Sequence, residues 1–220
     1  MHGIFVLAVI IFIIVAVVGV LQSGQRRKLM QQWAARRGWR YLPDKDDGFD
    51  ERYDFDSLKR GRSRYAYNVC HGQWGDLPAV AFDYHYVTGS GKNRKTYNFS
   101  AVIVTSPLLL KRMMIRPENF FDKVTEFFGL DDIDFESAEF SRRFFVKADD
   151  RRWAYDVLHQ RAMEFLLGSP EYSICFDRRY VIAWRGSRMD PGGFESAMNV
   201  IKGLLDGLPE YVVQQQTQEC

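Results

Sequence analysis

Two neighbouring stretches decide the fold: Pro78-Ala-Val-Ala-Phe-Asp-Tyr-His-Tyr-Val87 and Lys95-Thr-Tyr-Asn-Phe-Ser-Ala-Val-Ile-Val-Thr105. In the first, Val80, Phe82, Tyr84 and Tyr86 alternate with Ala81, Asp83 and His85; in the second, Tyr97, Phe99, Ala101 and Ile103 alternate with Asn98, Ser100 and Val102. Alternation of period two over such lengths, carried by aromatic and β-branched side chains, predicts strands. The link Gly89-Ser-Gly-Lys-Asn93 is short enough to make the pair an antiparallel hairpin. Arg64 to Gly72 alternates in the same way and reaches Pro78 through Gln73-Trp-Gly-Asp76, so three strands form a meander.

Working outward, Trp39 to Leu42 reads as a short strand ended by Pro43, and residues 44–62 read as a charged, solvated loop. Its Asp44-Lys-Asp-Asp-Gly48 has the composition of a calcium loop without the alternating ligand spacing or the closing Glu. Pro107 ends the sheet pattern, and Met113 to Ile115 allow one more strand. Pro117 then opens a helix with Phe120, Phe121, Val124, Phe127 and Phe128 on one face, closed by Gly129. Phe144, Val146 and Ala148 alternate as a strand, and Asp149 or Asp150 caps a helix running through Leu167. Tyr172 to Phe176 and Tyr180 to Trp184 suggest a hairpin across Asp177-Arg-Arg179, and Asp190-Pro191 opens a last helix that Gly207 ends.

Before the sheet stands residues 4–21, eighteen apolar residues without a charge. At 1.5 Å per residue they would cover about 27 Å, close to a bilayer core, which predicts a transmembrane helix. Arg26, Arg27 and Lys28 follow directly, then Arg36, Arg37 and Arg40, with no acid before Asp44. The positive-inside rule then puts the N-terminus outside and the bulk of the chain in the cytoplasm of a cell bounded by that inner or plasma membrane. The same six cations lie on or beside a basic amphipathic helix and are the candidate lipid-surface residues, facing anionic headgroups. The expected organisation is a transmembrane anchor at 1–23, a basic juxtamembrane helix at 24–43, an α+β cytoplasmic domain at 44–209 and a disordered tail at 210–220. The fold class is α+β: an N-terminal transmembrane helix, then a mainly antiparallel sheet packed by about three helices.

Composition narrows the function. Thirty basic residues against 28 acidic give a net charge of +2, too balanced for a generic nucleic-acid binder. Three cysteines at 70, 175 and 220 are an odd number without disulfide-like spacing.

Residues Asp134-Phe-Glu-Ser-Ala-Glu-Phe-Ser-Arg-Arg-Phe-Phe-Val-Lys-Ala-Asp-Asp-Arg-Arg-Trp153, with Arg37-Gly-Trp39 and Ala81-Phe-Asp-Tyr84 upstream, resemble a group of bacterial single-pass membrane-anchored proteins known only as a domain of unknown function. The resemblance spans most of residues 33–210 and implies fold and location, with no activity to carry over.

The chemistry on offer is thin. His71 and His85 lie on adjacent predicted strands with Cys70 beside His71, but neighbouring side chains point to opposite faces, so at most one of the pair joins His85. Two ligands are too few for structural zinc. Cys70 with His85 as a thiolate pair has no third group to orient it. Gly89 to Lys95 looks like part of a phosphate-binding loop, but Tyr86 stands where the first Gly is needed, Asn93 replaces Ser or Thr, and a strand follows. Cys70, His71 and His85 therefore stay as weak site candidates, with no catalytic residue, cofactor or metal assigned. The expectation is a membrane-tethered binding or scaffold module whose protein partner is unidentified; the alternatives are a hydrolase-like membrane enzyme and a sensor of anionic lipid built on residues 26–40 and 92–95.

Overall fold

The structure, a computed structural model, describes residues 21–118 and 133–218. A helix over 21–36 (α1) leads to β1 (Arg40–Leu42), α2 (Phe49–Arg52), a 3-10 turn (Asp56–Leu58) and the meander β2 (Arg62–Trp74), β3 (Leu77–Thr88) and β4 (Lys95–Pro117). Then come α3 (Ala138–Arg143), β5 (Phe144–Ala148), α4 (Arg151–Val157), α5 (Gln160–Leu167), β6 (Ser173–Arg185), α6 (Pro191–Asp206) and α7 (Glu210–Gln218). All pairings are antiparallel, in the order β1-β2-β3-β4-β5, with β6 on β4. The meander is as read from the sequence. The β3–β4 register runs unbroken from Ala79 opposite Val104 to Thr88 opposite Lys95. Gly89 turns the chain at φ +66, where a Cβ would lie 2.3 Å from the Asn93 carbonyl oxygen.

Pro107 does not end the sheet. β4 continues through it to Pro117, because the ladder to β6 slips between Thr105 and Leu110 and the missing N–H falls in the irregularity. Opposite that slip, Arg178 takes φ +52 and its exposed neighbours kink β6. The expected hairpin at 172–184 is thus a single bent strand. Arg179 Nη1 donates to the Pro107 carbonyl across the bend at 3.1 Å. Arg185 Nε donates to the Glu171 carbonyl at 2.9 Å, so the two ends of β6 meet and the β4–β6 ribbon curls back on itself.

The curled sheet has a core on each face. The larger gathers Met30, Trp33, Val102, Ile115, Trp153, Phe176, Phe194 and Ile201 under the helices. The smaller packs Phe82, Tyr84, Phe99 and Trp184 against Phe49, Phe55 and Leu58. Those last three come from the segment expected to be a solvated loop. Most of its carboxylates are exposed or half-exposed, Asp50 excepted, but Phe49, Phe55 and Leu58 are fully or almost fully buried and cover the second face of the sheet.

Other expectations change as well. The helix ending at Leu167 is two helices, broken at Leu158, where His159 caps α5 by accepting the Ala162 N–H through Nδ1 at 3.4 Å. Asp150 caps α4 by accepting the Trp153 N–H at 3.1 Å. The expected tail is helical as α7, with Val212 buried in the larger core. The transmembrane expectation is corrected: among the described residues no helix is long and apolar enough to cross a membrane. The apolar stretch 4–20 lies outside the described residues, as do the Phe-rich segment from Asn119 to Gly129 and Cys220. The described part of α1 is part of the domain: Met30, Trp33 and Ala34 pack into the core, and a Schellman closure ends it, with Trp39 N–H bonding the Ala34 carbonyl and Gly38 at φ +67 bonding that of Ala35.

Candidate functional site

The most concentrated polar chemistry in the described residues is buried. Asp83, on the helix-facing side of β3, is fully buried. Its Oδ1 accepts from Arg26 Nη2 at 2.7 Å and Ser100 Oγ at 2.6 Å; its Oδ2 accepts from Arg26 Nε at 3.0 Å and Asn68 Nδ2 at 2.9 Å. The Arg26 guanidinium lies 5.6 Å from the centre of the Phe194 ring. Ser100 Oγ also accepts the Met189 N–H at 3.0 Å, and Asn68 Oδ1 accepts the Tyr41 hydroxyl at 2.8 Å.

Local backbone geometry makes the cluster possible. Asn68 takes φ +51 where the β2–β3 register slips between Tyr67 and Cys70, a conformation Asn tolerates better than most residues. The bulge turns its amide toward Asp83. One carboxylate thereby joins α1, β2, β3 and β4, and through Ser100 the lead into α6. A buried ion pair with every lone pair satisfied fixes geometry; breaking it leaves an unpaired charge in the core.

The nearby nucleophile candidate is inert. Cys70 is buried, opposite Ala81, and burial first, then the Asp83 charge, push its thiol up to about 12. Tyr41 is raised to about 12 for the same first reason. His71 pairs opposite Val80 whereas His85 pairs opposite Tyr65, five positions further along β3 and about 17 Å away at strand spacing. His85 stacks on Tyr65 with centroids 4.5 Å apart, its Nδ1 3.0 Å from Asn98 Oδ1. The structure does not bring Cys70, His71 and His85 together, and among the described residues no three His, Cys, Asp or Glu side chains gather as a metal site.

The six candidate lipid-surface cations also separate. Arg26 is the buried partner of Asp83. Arg37 bonds Glu195 (Nη2 at 2.7 Å, Nε at 3.1 Å) and lies 4.5 Å over the Trp74 ring, while Trp33 Nε1 donates to the same Glu195 oxygen at 2.8 Å. Burial pushes the Glu195 carboxyl up, but these donors outweigh it and hold it below its ordinary range. Arg36 and Arg40 are exposed at this C-terminal end of α1, whereas Arg27 and Lys28 are exposed near its N-terminal end.

The N-terminal end of α1 has company. Arg37 sits by Trp74, and Arg26 by Asp83, so α1 runs antiparallel to β3 and its first residues head toward the β3–β4 turn. That turn carries exposed Lys92, Arg94 and Lys95, and Arg62 stands beside it, opposite Val87. Residues 21–28, 59–65 and 84–99 contain no Asp or Glu. Of the acids that come near this region, Asp50 is taken by Arg64 Nε at 2.8 Å and Asp54 by Lys59, while Asp46 pairs through its backbone with Ala66. The result is a basic end on a chain of nearly balanced charge.

Elsewhere an open cleft of about 760 Å³ lies between Pro117, Arg143, Glu171 and Arg185, where Arg143 holds the Glu171 carboxylate through Nε and Nη2.

No protein-family model and no curated protein matches the sequence. Among solved structures, the crystal structure of the mycobacterial trehalose monomycolate transport factor A, TtfA, superposes with a TM-score of 0.60 over 83% of this chain and 96% of that one, at 12% identity. This chain is similar in fold to TtfA. At that identity the likeness to TtfA concerns the path of the backbone.

The sequence reading missed Asp83, Asn68 and Ser100. A signal was present: an Asp inside an otherwise apolar strand, on the side that holds Ala79 and Ala81, is costly without a partner. A basic residue in an adjacent helix was the candidate, and Arg26 was assigned to the surface instead.

Proposed function

We propose that this chain is a non-catalytic binding module that works at an anionic membrane surface and presents its helix-covered sheet there. The charge distribution carries the reading: Arg62, Lys92, Arg94 and Lys95 stand exposed together at one end of the domain, in stretches of sequence that hold no Asp or Glu. Two features support it further. Among the described residues the groups that would do covalent or metal chemistry are dispersed, with the Cys70 thiol held protonated by burial. The fold is shared with TtfA, which is named as a transport factor for trehalose monomycolate, a lipid. The protein partner, if the module scaffolds one, would meet the surfaces left facing away from the lipid.

Sedimentation of the full chain with vesicles tests the reading. Binding to phosphatidylcholine vesicles should strengthen when phosphatidylglycerol is included, and the gain should disappear as salt screens the exposed charges. Equal binding to both vesicle types at low salt would count against it.

A further inference from the structure

We infer that the basic end is the membrane-docking face, formed jointly by the β3–β4 turn and the start of β2. The inference rests on the lipid-surface reading above and adds which residues make the contact and how the domain stands on the bilayer. Its cations are Lys92, Arg94 and Lys95 at the turn and Arg62 beside it; Arg27 and Lys28 follow Arg26, which is level with Asp83, and stand further back along β3.

The residues of the face come from two separate parts of the sequence and converge because the β2–β3 and β3–β4 ladders bring Arg62 opposite Val87 and Lys95 opposite Thr88. Behind this face, Arg26 bonds Asp83 at 2.7 and 3.0 Å and holds α1 antiparallel to β3. Arg26 itself is therefore spent inside, and its neighbours Arg27 and Lys28 are left outside. The other two exposed cations of α1 and its exit, Arg36 and Arg40, lie at the opposite end of the helix and have no part in this face.

The chemistry at this end suits a bilayer. Each exposed Lys or Arg near an anionic surface strengthens binding by about fivefold. Leu21, the first described residue of α1, is 60% exposed, the most exposed large apolar side chain among the described residues. Tyr65, Tyr67 and Tyr97 are half-buried close by, and Tyr97 stacks on Tyr86 with centroids 4.8 Å apart. Amphipathic tyrosines and a protruding leucine beside cations are the side chains that sit at a lipid–water boundary. A docked domain would stand with β3 and β4 steeply inclined to the membrane, their turn at the headgroups and the β4–β6 bend away from them.

The test compares three full-length proteins on phosphatidylcholine vesicles with and without phosphatidylglycerol. One is unchanged. One carries Lys92→Glu, Arg94→Glu and Lys95→Glu. The third carries Arg142→Glu, Arg152→Glu and Arg161→Glu, exposed positions on α3, α4 and α5. The turn variant should lose on the order of a hundredfold in affinity for the anionic vesicles, the helix variant little more than the general effect of its charge. Circular dichroism melts of the variants should match the unchanged protein, since all six side chains are exposed. Retention of anionic-vesicle affinity by the turn variant would overturn the docking face and leave the lipid-surface reading standing. Absence of any anionic preference in the unchanged protein would overturn both. Hydrogen exchange on the unchanged protein gives a second readout: protection on anionic vesicles should appear at 89–95 and not at 160–167, and the reverse pattern would refute the assignment.

Discussion

Asp83 accepts four hydrogen bonds inside the protein, and its charge is answered by a single guanidinium. Asp83→Asn keeps the volume but leaves Arg26 without a counter-charge, so it should destabilise the fold by about 3 kcal/mol. Arg26→Met alone strands the carboxylate and should cost a similar amount. The double variant Arg26→Met, Asp83→Leu removes both charges and should lose clearly less than the sum of the two single changes. Urea unfolding of the three variants measures this; strict additivity would show that the pair is not coupled. Two titrating groups give the same scale a pH signature. Burial, followed by the Arg40 charge, pushes the His71 imidazole below its ordinary 6.5, and Glu195 is held below its ordinary 4.5. In both cases the folded value lies under the unfolded one, so the stability each contributes is complete above the unfolded value and is lost as pH falls. The urea midpoint should fall first below about pH 6.5 and again below about pH 4.5; His71→Gln should flatten the upper step and Glu195→Gln the lower. Unchanged profiles in these variants would remove those two residues from the account of acid stability. At this scale the sequence was least legible. Arg26, Arg27 and Lys28 are adjacent and chemically alike, and only the helical phase that puts Arg26 over Phe194 separates a buried ligand of Asp83 from two surface charges.

Among the elements, two glycines mark where packing is tight and where it can yield. Trp39 lies over Gly72 of β2, so closely that a Cβ there would meet its ring at 2.3 Å, and Trp39 is itself held against Trp33 with centroids 5.2 Å apart. Gly203 of α6 is covered by Phe165, whose ring a Cβ would meet at 2.4 Å, but Phe165 is 39% exposed and free to swing outward. Gly72→Ala should therefore cost about 1–3 kcal/mol, whereas Gly203→Ala gains helix propensity and should be close to neutral. Thermal melts of the two variants test the contrast; an equal loss in both would mean that Trp39 moves as easily as Phe165. The strands of the meander were readable because alternation is a local property. Pro107 was not, since whether a proline ends a strand depends on whether its partner strand needs a donor there, and β6 has slipped register at that point. The 172–184 hairpin failed for the matching reason: Asp177-Arg-Arg179 has the composition of a turn but only kinks a strand that β4 accompanies throughout. The segment 44–62 was misread because its charges outnumber its apolar residues, although Phe49, Phe55 and Leu58 cover the second face of the sheet.

At the scale of the molecule, a sheet covered by helices on one side and by a short irregular segment on the other leaves one group of exposed cations, at the β3–β4 turn and Arg62, without acids in the same stretches of sequence. The α+β class and the antiparallel meander were visible in the periodicity. The joint surface was not, because Arg62 and Arg94 share no sequence pattern and meet only through the pairing of β2 and β4 on β3. The most direct measurement is a depth probe. An environment-sensitive nitrobenzoxadiazole label is placed on Ser90→Cys or on Gln160→Cys of the full chain, and its emission is followed as phosphatidylglycerol-containing vesicles are added. The expected result is a blue shift at position 90 that phosphatidylcholine vesicles do not reproduce, with no shift at position 160. A label at 90 that stays in water while the protein is bound, or a shift confined to 160, would contradict the basic end as the face that meets the membrane.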